Sequence, residues 1–192
     1  IFPNQKTLLA SNLTKLNVTI SSSQKMDSSL SIVYISRIVN YKNLDYAIKL
    51  VDSLDYQVKF DYYGTVEDLN YFNYCDELAK KSKNFISYKG ELNHSEVKKT
   101  LNKYNVFLFP SSGENFGHVI AEAIMAGCVV ITSDKTPWGK IQTNKVGWAL
   151  PLKSKESFIE ILNYLCELSE IDFKELQNKV FLNAKNLLNE KT

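Results

Sequence analysis

The chain's only arginine, among 23 basic residues, is Arg37, in the run Ser36-Arg37-Ile38-Val39-Asn40-Tyr41-Lys42. Elsewhere the sequence uses lysine throughout. A guanidinium offers a rigid fork of donors that takes two phosphate oxygens at once, and an ammonium does not. Lys42, five positions on, adds a point charge that one polyanionic group could share with Arg37. A salt bridge at a strand end would also use an arginine, so residue type alone leaves both uses open.

Glycine marks a second region. Five of the seven glycines, Gly113, Gly117, Gly127, Gly139 and Gly147, fall between residues 113 and 147. The loop Pro110-Ser111-Ser112-Gly113-Glu114-Asn115-Phe116-Gly117 runs directly into a helical segment. A helix N-terminus presents free N–H groups and the positive end of the helix dipole, which suits a phosphate or diphosphate. The loop has neither the G-x-G-x-x-G pattern of dinucleotide sites nor the Gly-Lys-Ser/Thr of a phosphate-binding P-loop. It carries Glu114 instead, and Glu122 follows eight positions later, about 7 Å along the helix. Carboxylates accept from vicinal hydroxyls. A nucleotide-sugar fits these groups, with its diphosphate on the amides of Phe116 to Val119, sugar hydroxyls beside Glu114 and ribose hydroxyls near Glu122. An exposed loop acid and a solvated helix acid would give the same spacing.

The elements that must position these residues alternate. Short β-rich runs at 31–35, 58–63, 85–88, 106–109, 128–132 and near 148–150 are separated by helical periods at 44–54, 66–81, 95–104 and 117–126, and helices at 155–168 and 172–188 close the chain. This is the signature of an α/β domain on a parallel sheet. Leu44, Ala47, Ile48, Val51 and Leu54 form one helical stripe. In such a sheet ligands bind beyond the carboxyl ends of strands, where both the Arg37 and the Glu114 loops fall. Residues 1–30, rich in Ser and Asn, read as a connecting or peripheral segment with one strand at 16–20, and residues 31–192 as the binding domain.

Composition narrows the function. With 44% hydrophobic residues and a net charge of +2, the chain can bury a core and offers no basic field for nucleic acid. Cys75, Cys128 and Cys166 are scattered, which points to a reducing compartment rather than to disulfides or zinc. No charged-then-apolar stretch opens these residues and no apolar run reaches membrane-spanning length, so neither a signal peptide nor a membrane span is expected within them. A cytoplasmic location follows as the expectation, with peripheral attachment at the inner face of a membrane left open. His94 and His118 are the only histidines, and no metal constellation is evident. Trp138 reads as a packing residue, with stacking on a sugar as its alternative.

Arg37-x4-Lys42 after the first strand, together with Pro110-Ser-Ser-Gly-Glu-Asn-Phe-Gly-His-Val-Ile-Ala-Glu-Ala-Ile-Met-Ala-Gly127, resembles the C-terminal, nucleotide-sugar-binding domain of GT-B-fold, GT4-type retaining glycosyltransferases, over residues 31 to 151. The resemblance implies a Rossmann-like parallel sheet with helices on both faces. It implies that Arg37 and Lys42 neutralise the departing donor diphosphate and that Glu114 contacts the donor sugar. It places Glu122 on the ribose, Asn115, Phe116, Gly117, His118 and Val119 along the phosphates and sugar, Gly64 close to the donor, and Gly90 to Leu92 against the base. No metal or other cofactor is expected. The implied partners are a nucleotide-diphosphate sugar, UDP-linked by expectation, and a glycan or lipid-linked acceptor held by an N-terminal domain outside this chain. Without that domain these residues are expected to transfer nothing. The stretch Lys135-Thr136-Pro137-Trp138-Gly139 resembles a bacterial surface-polysaccharide branch. A non-catalytic, flavodoxin-like nucleotide- or phosphate-binding module and a phosphorylase-like enzyme are the competing readings.

Overall fold

The computed structural model describes residues 29–142 and 145–189, with side chains through Ala184. The strand expected at 16–20, and all of the expected peripheral segment except Ser29 and Leu30, lie outside the described residues. Among the described residues six strands, β1 (Ser31–Ile35), β2 (Lys59–Tyr63), β3 (Phe85–Tyr88), β4 (Val106–Phe109), β5 (Val129–Ser133) and β6 (Gly147–Leu150), form one sheet in the order β3-β2-β1-β4-β5-β6. Every pairing is parallel. β4 and β5 are buried along their whole length. That burial is why they read as continuous apolar runs rather than alternating ones. β3, at one edge, leaves Phe85 exposed.

Among the described residues six helices cover the sheet: α1 (Leu44–Asp52), α2 (Leu69–Lys81), α3 (His94–Leu101), α4 (His118–Met125), α5 (Lys155–Glu167) and α6 (Glu170–Asn189). α1 packs on α2 and α5, while α4 packs on α3 and α6, giving one helical layer on each face. The stripe of Leu44, Ala47, Ile48 and Val51 is buried as its spacing requires. Each such side chain contributes about 1.5–3 kcal/mol by leaving water. Tyr46 adds an edge-on contact with Phe158 and donates to the Leu152 carbonyl at 2.7 Å, fastening α1 to α5. Among the described residues no helix is long and apolar enough to cross a membrane.

Where element ends depart from the apolar pattern, hydrogen bonds decide. The helix expected from residue 66 starts at Leu69, because residues 65–68 stay extended against the chain leaving β1. Ile38 N–H donates to Thr65 O at 2.8 Å, and the amides of Glu67 and Asp68 both donate to Ile38 O. Asp68 then caps α2 by accepting from Tyr71 N–H at 2.9 Å. The helix expected to run to residue 104 stops at Leu101. Its last turns tighten, with Lys103 N–H on Thr100 O and Tyr104 N–H on Leu101 O.

Candidate functional site

Strand order reverses between β1 and β4. β1 leads leftward to β2 and β3, and β4 leads rightward to β5 and β6. A crevice opens at the carboxyl ends of strands at such a switch point. The two loops singled out from sequence leave β1 and β4 there, and backbone and side chain bind them together. Ser112 N–H donates to Tyr41 O at 2.9 Å. Asn43 Nδ2 donates to Pro110 O at 2.7 Å and to Ser112 Oγ at 2.8 Å. Asn43 is left-handed, φ 58°, a conformation asparagine tolerates better than most residues. That turn ends the short 3-10 segment Asn40–Lys42 and starts α1.

The same turn sends Lys42 inward. Its ammonium donates to Glu114 Oε1 and, at 3.4 Å, to Gly113 O, and it lies over the rings of Tyr41 (4.9 Å) and Phe109 (5.7 Å). The two side chains are only 6% and 17% exposed. Two acyclic charges this well shielded need one another, because either alone would carry a large desolvation cost. The structure thus brings together two predicted residues that lie 72 positions apart.

Arg37 sits at the rim and does make the salt bridge that a strand-end arginine would. Its Nη1 donates to Glu67 Oε1 and Oε2 at 2.8 and 3.0 Å, and Nη2 donates to the Tyr41 hydroxyl. The pair is exposed, 54% and 38%.

Beyond Glu114 the loop turns into α4 through Gly117, φ 73°, which stands as the N-cap, so His118 is the first helical residue. A Cβ on Gly117 would come within 3.0 Å of Ile120 Cδ1 and 3.3 Å of Trp138 Nε1. Trp138 is buried and donates its indole N–H to Phe116 O at 2.7 Å, with the Phe116 ring 5.9 Å away. Trp138 therefore packs, as expected, and also orients the peptide that opens the helix. Phe116 touches the His118 ring edge-on at 4.5 Å, Asn115 and His118 are exposed, and Val119 is partly buried. Ser111 is buried beneath the loop; its hydroxyl donates to Gly113 O at 2.8 Å and its carbonyl accepts from the Ser133 hydroxyl.

Glu122 is one turn into α4 and only 16% exposed, so it is not a solvated helix position. Burial holds its carboxyl above the ordinary carboxylate range, against the lowering influence of His94 and His118. His94 Nε2 lies 3.8 Å from Glu122 Oε1. His94 opens α3 behind a capping box in which Glu96 accepts from Asn93 N–H at 3.0 Å. The folded carboxyl keeps its proton to higher pH than the unfolded one. The cost of burying the anion is therefore full above the folded pKa and absent below the unfolded value. Glu122→Gln is expected to raise Tm at neutral pH, with the gain disappearing as the medium is acidified. Thermal melts across pH check this, and a lower Tm for the variant at neutral pH would contradict it.

Gly64, Gly90 and Leu92 follow β2 and β3 on the same end of the sheet. Gly64 N–H donates to Gly90 O at 3.0 Å, and Tyr88 hydroxyl donates to Gly64 O at 2.8 Å. Gly64 presses on the Ser36 carbonyl, at the root of the Arg37 loop. Leu92 is partly buried against the core.

Sequence reasoning missed Tyr41, Asn43, Glu67 and Ser111 as parts of the site. Asn43 follows Lys42 directly, and an asparagine between a polar turn and a helix is a signal for the left-handed turn found there. Glu67 carried no local signal, since its partner is 30 positions away. Among the described residues no three His, Cys, Asp or Glu side chains gather as metal ligands.

Comparison with known proteins bears on the family and the fold. The chain is 29% identical over 136 residues to the GtfA subunit of the UDP-N-acetylglucosamine–peptide N-acetylglucosaminyltransferase of Streptococcus agalactiae, a match covering 67% of this chain and 26% of that one. The chain spans about a quarter of the length of the curated relatives it matches. Among solved structures, S. aureus TarM, determined with UDP and alpha-GlcNAc-glycerol, superposes with a TM-score of 0.72 at 19% identity, covering 92% of this chain and 37% of that one. Anabaena HepE, determined with UDP and glucose, gives a TM-score of 0.72 at 16% identity, covering 100% of this chain and 49% of that one. The sheet and its helices are the Rossmann-like half of a GT-B fold. Residues 19–186 match the profile described as glycosyl transferases group 1, and the chain belongs to that family.

Proposed function

We propose that this chain is the donor-binding half of a GT4-type retaining glycosyltransferase that moves a sugar from a nucleotide diphosphate, UDP by preference, to a glycan or lipid-linked acceptor in surface-polysaccharide synthesis. The observation that carries the reading is the convergence of Arg37, Lys42, Glu114 and the α4 N-terminus across the β1/β4 switch point. In the proposed reaction the bond between the anomeric carbon and the diphosphate oxygen breaks. Its electron pair leaves with the diphosphate, positive character builds on the sugar, and an acceptor hydroxyl oxygen bonds to the anomeric carbon while its proton passes to the departing diphosphate. Fixed cations and helix amides then gain more from the transition state than from the ground state. Lys42 holds three donors, of which Glu114 and Gly113 O engage two, so a phosphate takes the third or displaces Glu114 toward the sugar hydroxyls. The buried carboxylate of Glu122 supplies an acceptor for the ribose. No metal enters this reading, and a second domain facing the crevice supplies the acceptor. The enzyme would work in the cytoplasm, at the inner face of a membrane where its acceptor is lipid-linked.

The test is calorimetric titration of the 192-residue chain with UDP, GDP and ADP, repeated on Arg37→Ala and Glu122→Ala. One nucleotide is expected to bind best, and each substitution to weaken it at least about tenfold, the equivalent of one charge-assisted hydrogen bond. Binding untouched by Glu122→Ala would favour a plain phosphate-binding module instead.

A further inference from the structure

Glu67 lies in the loop after β2, three residues past Gly64 and outside the loops that carry Arg37 and Glu114, yet the backbone delivers it to Arg37. The parallel bridge between Ile38 and Val66, and the donation of the Glu67 amide to Ile38 O at 3.3 Å, hold the chain leaving β2 against the chain leaving β1. Glu67 thereby meets Arg37. A guanidinium has five N–H donors. Both oxygens of Glu67 accept from Nη1, and the Tyr41 hydroxyl accepts from Nη2. Among the described residues Nε–H meets no acceptor and Nη2 meets one, and adjacent Nε and Nη2 donors are what a phosphate takes side by side. Tyr41 is itself tied to the Glu114 loop through Ser112 N–H.

We propose that Glu67, with Tyr41, is a positioning residue that holds the Arg37 guanidinium by one edge and presents its Nε/Nη2 edge to the diphosphate of the donor. The inference rests on the donor-site reading of Arg37. Two forces oppose one another here. As a negative charge near a diphosphate, Glu67 should weaken binding; as a clamp on a long, rotamer-rich side chain, it should strengthen binding by removing freedom before the ligand arrives. The sign of the effect of removing it therefore separates the roles. An ion pair this exposed adds little to stability, so the variants fold and the titration reads the site.

UDP and uridine are titrated into the 192-residue chain as wild type, Glu67→Gln, Glu67→Ala, Arg37→Ala and the double variant Glu67→Ala/Arg37→Ala. Glu67→Ala is expected to weaken UDP about three- to tenfold, the cost of ordering one such side chain, and to leave uridine unchanged. Glu67→Gln, which keeps an acceptor for Nη1, recovers part of the loss, and Glu67→Ala costs nothing further once Arg37 is gone. Tighter UDP binding by Glu67→Ala would overturn the proposal and make Glu67 a competing charge. An equal loss with and without Arg37, or no loss at all, would also overturn it while leaving the donor site standing. Failure of the wild-type chain to bind UDP would overturn the donor-site reading together with this one.

Discussion

Lys42→Met and Glu114→Leu, made singly, are each expected to cost on the order of 3 kcal/mol of folding stability, and the double variant is expected to recover most of it. The reason is the setting of the pair rather than its attraction. Lys42 is 6% exposed, with ring faces of Tyr41 and Phe109 about its ammonium, and Glu114 is 17% exposed. Removing one charge leaves the other shielded from water unless its own side chain moves. Removing both leaves two apolar side chains of similar size in a site already lined by rings. The two losses should differ in size. Glu114 lies in a surface loop and can turn outward to hydrate, whereas Lys42 is anchored by Asn43 and the start of α1. Glu114→Leu should therefore be the costlier. Urea unfolding of the four proteins measures the coupling, and additive losses would show that the pair is not shielded as the geometry indicates. Function should separate from stability in the same series. The double variant folds but loses the ammonium, so its affinity for UDP falls at least about tenfold.

The pair also marks the boundary of what the sequence could convey. β1, β3 and β4 lie where their apolar runs place them, because strands buried on both faces, or bounded by Gly and Pro, carry that information locally. Lys42 and Glu114 were identifiable by type and spacing, but their contact was not, since nothing in either neighbourhood refers to a loop 72 positions away. The same holds for Glu122 and His94, where the histidine reads as a helix start and the contact appears only once α3 lies beside α4. The start of α2 moved for a related reason. Residues 66–68 satisfy their backbone through Ile38, a long-range partner that outweighs local helical period. Residue type allows Arg37 either a phosphate fork or a surface salt bridge, and the structure displays the salt bridge through Nη1 with Nη2 on the Tyr41 hydroxyl.

Gly64→Ala is expected to be the most damaging single methyl group that can be added to this site, costing about 3 kcal/mol or more. Two independent penalties meet there. At φ 145° the backbone occupies a region that L side chains rarely adopt, and the added Cβ would stand 1.7 Å from Ser36 O and 2.6 Å from Ser36 C. The obstacle is backbone, which cannot swing aside as a side-chain tip can. Relief requires the ends of β1 and β2 to part, breaking the Ser36 N–H to Tyr63 O bond and shifting the peptide that leads into Arg37. Two further glycines supply controls. Gly90, φ 87°, has open space around its missing Cβ, so Gly90→Ala carries the conformational cost alone, about 1–2 kcal/mol. A Cβ added at Gly147 would stand 2.1 Å from Val130 O, a clash of the same kind on β6, at the opposite edge of the sheet. Gly147→Ala should therefore lower Tm about as much as Gly64→Ala and yet leave the nucleotide affinity of the remaining folded protein unchanged. Gly64→Ala should impair both, because the carbonyl it displaces belongs to the loop that aims the arginine. A wild-type Tm for Gly64→Ala would mean that β1 and β2 do not approach so closely in solution, and the close packing assigned to the Arg37 loop would fall with it.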